Sequence, residues 1–197
     1  IAGQVDAVGK AVQQFQSGDD VFGDLSDYGF GAFAEYISVP EQALVAKPIH
    51  LSYEEAATVP VSGLAALQAL RDFGEVKTGQ RVLINGASGG GGSFAVQLAK
   101  VFGAEVTAVC STRKVEMVKA LGADYIVDYT QREPTKPTQP YDLIVDAAAY
   151  RPFSDFLEAL VPGGTYVLVG GEMPKLFRAM ILGSFVDRSM DEASRRN

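Results

Sequence analysis

Five glycines, Gly86, Gly89, Gly90, Gly91 and Gly92, crowd the stretch RVLINGASGGGGSFAVQLAKVFG at residues 81–103. Without a Cβ, they let backbone N–H groups come close to an anion and take positive φ. An apolar run leads in and an apolar-periodic run leads out. The helix expected after the glycines points its positive dipole end at the same spot. Ser111, Arg113 and Lys114 close the next apolar run. Backbone donors suit a diphosphate, and a separate cationic pair suits a further phosphate. The chemistry written in these residues is anion binding.

Residues Gly90 to Ala95 fit the dinucleotide fingerprint G-x-G-x-x-G/A, and Gly86, Gly89 and Gly92 are also spaced evenly by three. The fingerprint gains weight from its context, a strand before it and a helix after it. A flexible glycine linker would not have ordered elements abutting both sides. After the second strand, Cys110-Ser111-Thr112-Arg113-Lys114 carries no acid before Glu116. A carboxylate there would hold ribose hydroxyls, whereas Arg and Lys attract a 2′-phosphate. The residues therefore predict NADP(H) over NAD(H). The competing reading is a solvated first helical turn, although two cations there would oppose the helix dipole.

Other chemistry is sparse. The chain has one cysteine, Cys110, and one histidine, His50. An internal disulfide and a Cys-rich zinc site are thereby excluded. Cys110 ends an apolar strand and reads as a small hydrophobe; His50 reads as a surface turn residue. A net charge of −7 and a pI near 4.7 argue against nucleic acid as a partner. With no run of 18 apolar residues, no membrane span is expected. Cysteine usage fits a reducing, cytoplasmic setting.

The elements that must position the glycines follow from the patterning. Residues 1–50 read as short strands, IAGQVDAVG, DDVFGD, GAFAEYISVP and ALVAKP, split by Gly and Pro. Ser52 and Glu55 form a capping-box signature, Pro60 interrupts the helix they start, and a second helical run covers about 63–73, with Leu64, Leu67 and Leu70 on one side. From Gln80 onward strands alternate with helices: RVLINGA, SFAVQLAKVFG, EVTAVCS, RKVEMVKALG, YIVDY, a Pro/Thr-rich loop REPTKPTQP, YDLIVDAAA, FSDFLEALV, GTYVLVGG and PKLFRAMILGSFV. That order predicts an α/β fold, a Rossmann-type doubly wound parallel sheet. Five strands are expected after residue 80, one short of a full dinucleotide-binding sheet. The first residues read as strand with no lead-in, so the chain is expected to be a fragment or a processed product.

The segments AGQVDAVGKAV, GDDVFG, GAFAEY, EEAATVPVSGLAAL, VLINGASGGGGSFAVQLAK, LGADYIVDY, YDLIVDAAA and GGTYVLVGG together resemble the medium-chain dehydrogenase/reductases, in their zinc-independent, quinone oxidoreductase-like branch. The resemblance runs from Ile1 to about Phe185. It implies a partial GroES-like β segment at 1–53 before a Rossmann domain at 54–197 that lacks its last strand. The loop LSDYGF is too short for the zinc lobe of related alcohol dehydrogenases and has no sulfur.

By the same resemblance, Ser88, Gly89, Gly90, Gly91 and Gly92 would lie on the pyrophosphate. Ser111, Arg113 and Lys114 would face the 2′-phosphate, and Tyr129 the adenosine end. Gly170 and Gly171, with Pro60 to Leu64, would border the nicotinamide. Relatives usually carry Val at Gly91, commonly Thr at Ala65, and a small polar or glycine-containing turn at Ala147 to Tyr150. The implied activity is NADPH-dependent reduction of quinones, enones or similar conjugated carbonyls; the alternative is a truncated fragment that binds NADP(H) without turnover, or only keeps the fold. No catalytic residue is singled out. A homodimer or higher oligomer is expected from an exposed sheet edge.

Overall fold

The computed structural model describes residues 1–170. The chain divides into two compact units, Ile1–Leu64 and a second that begins at Ala65. The expected helix at 174–186 and Gly171 lie outside the described residues, as does any sixth strand of the second unit.

In the first unit, strands β1 (Ala2–Gln4), β2 (Asp20–Gly23) and β3 (Leu44–Ala46) form an antiparallel sheet in the order β1-β2-β3. Val21 pairs with both Gly3 and Ala46. The buried side chains are few: Val21, Leu25, Ala43 and Ala56. The segment at 31–40 does not form the expected strand. A strand needs a paired edge and a half-buried face. Here no strand pairs with it, and Phe33 and Tyr36 are exposed.

The capping box forms as the sequence predicts. Ser52 Oγ accepts from the Glu55 N–H at 3.1 Å, and the Ser52 N–H donates to Glu55 Oε2 at 2.9 Å, starting α1 (Tyr53–Thr58). Pro60 has no N–H to continue the ladder, and the chain widens into a π-type turn over Val59–Gly63 instead of ending.

The second unit takes up the chain around α2 (Leu64–Gln68) and a further wide turn over Ala69–Phe73. Its inward stripe is Ala66, Ala69 and Leu70; Leu67 is half-buried and Leu64 exposed, so the expected leucine face is shifted. Five parallel strands follow: β4 (Arg81–Asn85), β5 (Glu105–Cys110), β6 (Tyr125–Asp128), β7 (Tyr141–Asp146) and β8 (Leu160–Leu168), in the order β6-β5-β4-β7-β8. Between β4 and β5 runs α3 (Gly90–Val101), and between β5 and β6 runs α4 (Val115–Ala120).

Alternation along β4 explains why its run is apolar on both sides. Val82 and Ile84 pack with Ala95, Val96 and Ala99 of α3, while Leu83 packs with Val109, Ile144 and Phe156 on the opposite face. The helix expected at 153–161 is only α5 (Ser154–Leu157), because Leu160 already pairs with Tyr141 as the start of β8. Pro162 is accommodated there because the ladder is irregular between Tyr141 and Leu143, the setting in which strands tolerate proline. No helix fills the connection from β6 to β7 at 129–140, which is the proline-rich loop read from the sequence.

Lys100, in the last turn of α3, ties that helix to the sheet. Its Nζ donates to Asp124 Oδ2 at 2.6 Å and to the Ala104 carbonyl at 3.0 Å, and Asp124 Oδ2 also accepts the Val106 N–H at 2.7 Å. Burial opposes the charge of Asp124, but Lys100 and the Val106 N–H outweigh it and hold the carboxyl below its ordinary value. A carboxyl depressed on folding stabilises fully above its unfolded pKa of about 4 and loses that contribution as pH falls through the lower folded value. Urea unfolding between pH 6 and pH 3 is therefore expected to show an acid limb that Asp124→Asn flattens.

Candidate nucleotide-binding site

One register row crosses the carboxyl end of the sheet: Val127, Val109, Asn85, Asp146 and Leu168. The chain moves outward from β4 to β6, then crosses back to lay β7 on the other side of β4. That reversal makes the crevice above β4 and β7 the place where open α/β sheets bind ligands.

The glycine turn sits on this crevice. Gly86 leaves β4 with φ +82, and the Ala87 N–H donates to the Val109 carbonyl at 3.0 Å. Gly89 stands just before α3 in an extended conformation, and no side chain caps the helix. The first N–H groups of a helix have no acceptor within it, so those of Gly90, Gly91 and Gly92 are available to an anion. A Cβ on Gly92 would lie 2.1 Å from the Gly86 carbonyl oxygen, and one on Gly86 would lie 2.9 Å from the Ala148 methyl. A Cβ on Gly91 would meet nothing within 4 Å. The set spaced by three thus has the structural roles: Gly86 for the tight turn, Gly89 ahead of the helix, and Gly92 for close helix–strand contact. The frame from Gly90 to Ala95 falls inside α3.

The cationic segment follows β5. Ser111 is extended, and Thr112–Lys114 form a single tight turn before α4. Arg113 and Lys114 are exposed and make no ion pair among the described residues. Beside them lies a network that sequence reasoning missed. Asp128, ending β6, accepts from Thr112 Oγ1 at 2.6 Å, from the Thr130 N–H at 2.9 Å and from Gln131 Nε2 at 2.9 Å. The Thr112 hydroxyl is the main reason its carboxyl is held below the ordinary value. Tyr129 is next in the chain, exposed, with its N–H on the Cys110 carbonyl at 3.1 Å. Cys110 is buried, and burial followed by the charge of Asp128 pushes its thiol up, which keeps it inert.

A second missed network lies in the crevice itself. Asp146, fully buried at the end of β7, accepts from Asn85 Nδ2 at 2.8 Å and from the Tyr166 hydroxyl at 2.7 Å. An acid closing a mainly apolar strand, in YIVD and in YDLIVD, was the available signal for both. Beyond β8, Gly170 turns with φ +96. Ser88 to Gly92, Ser111 to Lys114, Tyr129 and Gly170 therefore all follow carboxyl ends of strands in one sheet, whereas Pro60 to Leu64 belong to the first unit.

A groove of about 820 Å³ opens at the other end of the sheet, lined by Arg81, Glu105, Tyr125, Lys136 and Tyr141 among others. One of its cations is already engaged: Arg81 contacts Glu105 at 3.2 Å and donates to the Pro140 carbonyl at 2.5 Å. The glycine end differs from this groove. There a cradle that a Cβ would fill, uncapped N–H groups and unpaired cations fit a phosphate-bearing dinucleotide.

One antiparallel sheet followed by a parallel sheet with a glycine turn at its switch point is the architecture of a dinucleotide-binding protein. Residues 1–49 match the model of the alcohol dehydrogenase GroES-like domain, and residues 90–190 match that of the zinc-binding dehydrogenases. The chain belongs to the medium-chain dehydrogenase/reductase family, in its quinone-oxidoreductase-like branch. Zinc figures in the name of the family model, but among the described residues no group of three His, Cys, Asp or Glu could hold a metal.

The chain is 42% identical over 176 residues to a chloroplastic quinone-oxidoreductase homolog of Spinacia oleracea, covering 85% of this chain and 54% of that protein. It is 36% identical over 190 residues to the 2-methylene-furan-3-one reductase of Solanum lycopersicum, covering 92% and 48%. The solved quinone oxidoreductase of Pseudomonas syringae pv. Tomato matches with a TM-score of 0.74 at 30% identity, over 90% of this chain and 58% of that one. The chain thus spans about half the length of the curated relatives it matches. No helix among the described residues is long and apolar enough to cross a membrane.

The two neighbouring glycines of α3 should part company in chemical denaturation. Gly92→Ala is expected to cost about 3 kcal/mol or more, because backbone must move, whereas Gly91→Ala should gain about 0.5–1 kcal/mol. Ala149, at φ +52, carries a left-handed penalty of about 1–2 kcal/mol that glycine lacks. Set against the entropy of a new glycine, Ala149→Gly is expected to stabilise by up to about 1 kcal/mol on the same measurement.

Proposed function

We propose that the chain is the cofactor-holding part of an NADPH-dependent reductase of quinones, enones or similar conjugated carbonyls. The observation that carries this reading is the side-chain-free, uncapped start of α3 combined with unpaired Arg113 and Lys114 one strand away. In this reading Ser88 and Gly89 to Gly92 lie on the diphosphate, with the N–H groups of Gly90, Gly91 and Gly92 as donors, since the Gly89 N–H is held by the Gly86 carbonyl at 3.0 Å. Ser111, Arg113 and Lys114 take the 2′-phosphate, Tyr129 lies along the adenosine, and Gly170 and Gly171 border the nicotinamide. NADPH, when bound, supplies a hydride to the conjugated carbonyl. The chain's task is to fix the cofactor's position and keep the 2′-phosphate neutralised. The spinach quinone-oxidoreductase homolog and the tomato 2-methylene-furan-3-one reductase support the substrate class.

The domain reading remains a GroES-like β segment at 1–53 followed by a dinucleotide-binding domain at 54–197. We place the protein in the cytoplasm on its cysteine usage. A homodimer is supported by the edge strands β6 and β8, which lack an outer partner among the described residues; sedimentation at several concentrations checks it.

Fluorescence titration with NADPH and NADH tests the cofactor. NADPH should bind more tightly, and Lys114→Ala should weaken it about tenfold through loss of a charge-assisted contact while leaving NADH little changed. Equal affinity for the two cofactors, the outcome that Asp128 would favour, overturns the 2′-phosphate reading. Loss of NADPH absorbance with a quinone and enone panel tests turnover, and binding without oxidation restricts the chain to holding cofactor.

A further inference from the structure

Asp146 is the most demanding group in the second unit. It is fully buried, yet its four donors are neutral. Oδ1 accepts from Asn85 Nδ2 at 2.8 Å, from the Ala148 N–H at 3.1 Å and from the Ala149 N–H at 2.8 Å; Oδ2 accepts from the Tyr166 hydroxyl at 2.7 Å. A buried carboxylate without a cation is expensive and persists only when its lone pairs are satisfied. Burial, and then the charge of Asp146, push the Tyr166 hydroxyl well up, so it stays a donor.

These donors come from three places that must agree: the end of β4, the loop after β7, and β8. The loop is bent by them. Ala148 and Ala149 turn back onto the carboxylate, in the manner of side chain-capped turns, and Ala149 is held at φ +52, a conformation non-glycine residues avoid. The bent loop then rests on the glycine turn, since the space in front of the Gly86 Cα is filled by Ala148. One buried carboxylate therefore fixes the wall of the crevice.

We propose that Asp146 is a positioning residue: by fixing Ala148 and Ala149 against Gly86, it sets the shape of the glycine turn and thereby the affinity for NADPH. This rests on the cofactor reading above. A role confined to stability would lower unfolding midpoints and leave the dissociation constant of the folded protein unchanged.

The test is NADPH titration of wild type, Asp146→Asn, Asp146→Ala and Tyr166→Phe, with urea midpoints to correct for the folded fraction. Asp146→Asn keeps an oxygen for the three N–H donors and should bind within about threefold of wild type; Asp146→Ala orphans them and should bind at least about tenfold more weakly. Unchanged affinity in folded Asp146→Ala overturns the proposal. Should that variant not fold, Tyr166→Phe decides. It should speed amide exchange at Ala148 and Ala149 and weaken NADPH about threefold, and no change in either overturns the proposal. Failure of wild type to bind NADPH overturns the cofactor reading itself, a result distinct from wild-type binding that Asp146→Ala leaves intact.

Discussion

Helix α3 lies so close to the end of β4 that only a hydrogen fits between the Gly92 Cα and the Gly86 carbonyl, where a Cβ would stand at 2.1 Å. That contact sets the angle at which the helix leaves the sheet. It aims the unpaired N–H groups of the first turn at the crevice, and it forces the chain between the two glycines into a tight arc led by the positive φ of Gly86. The apolar face of α3, with Ala95, Val96 and Ala99, then seals one side of the sheet. Small side chains on that face are a consequence of the same closeness, because a larger residue would lift the helix and open the contact.

The crevice is polar where the rest of the sheet is not. Asn85 and Asp146 are the paired residues at the point where the strand order reverses. Across the row, the other positions are Val127, Val109 and Leu168. Two buried polar side chains facing each other are tolerable because both oxygens of the carboxylate have donors. Beside the cationic segment, Asp128 repeats the device in solvent, gathering Thr112, Thr130 and Gln131 around one carboxylate.

Much of this was legible in the chain. Alternating strands and helices after Gln80 specify the parallel sheet, and the Ser52–Glu55 spacing specifies a helix start that forms with both reciprocal bonds. What could not be read depends on neighbours distant in sequence. Residues 31–40 have a strand's composition but lack a partner, and pairing is a property of two segments. Residues 158–161 continue a helical pattern, yet Leu160 is captured by Tyr141 of β7. The phosphate frame was visible as glycines, but which glycine does which job is settled only by what a Cβ would strike. Asp146 and Asp128 were visible only as acids ending apolar strands; their donors lie up to 61 residues away.

The helix-free crossing from β6 to β7 has a consequence for how the chain can change. Both of its ends are anchored, Tyr129 through the Cys110 carbonyl and Tyr141 through the Ala159 carbonyl. Between them no regular element binds the backbone to the sheet. Lengthening such a loop adds only about 0.6 kcal/mol per doubling, and growth within 133–139, beside Arg81, Glu105 and Tyr141 at the amino ends of their strands, stays away from the row of Asn85 and Asp146. The later part of the crossing is therefore open to insertion, grafting or evolutionary drift, and a new segment placed there would leave the glycine turn at the opposite end of the same sheet intact.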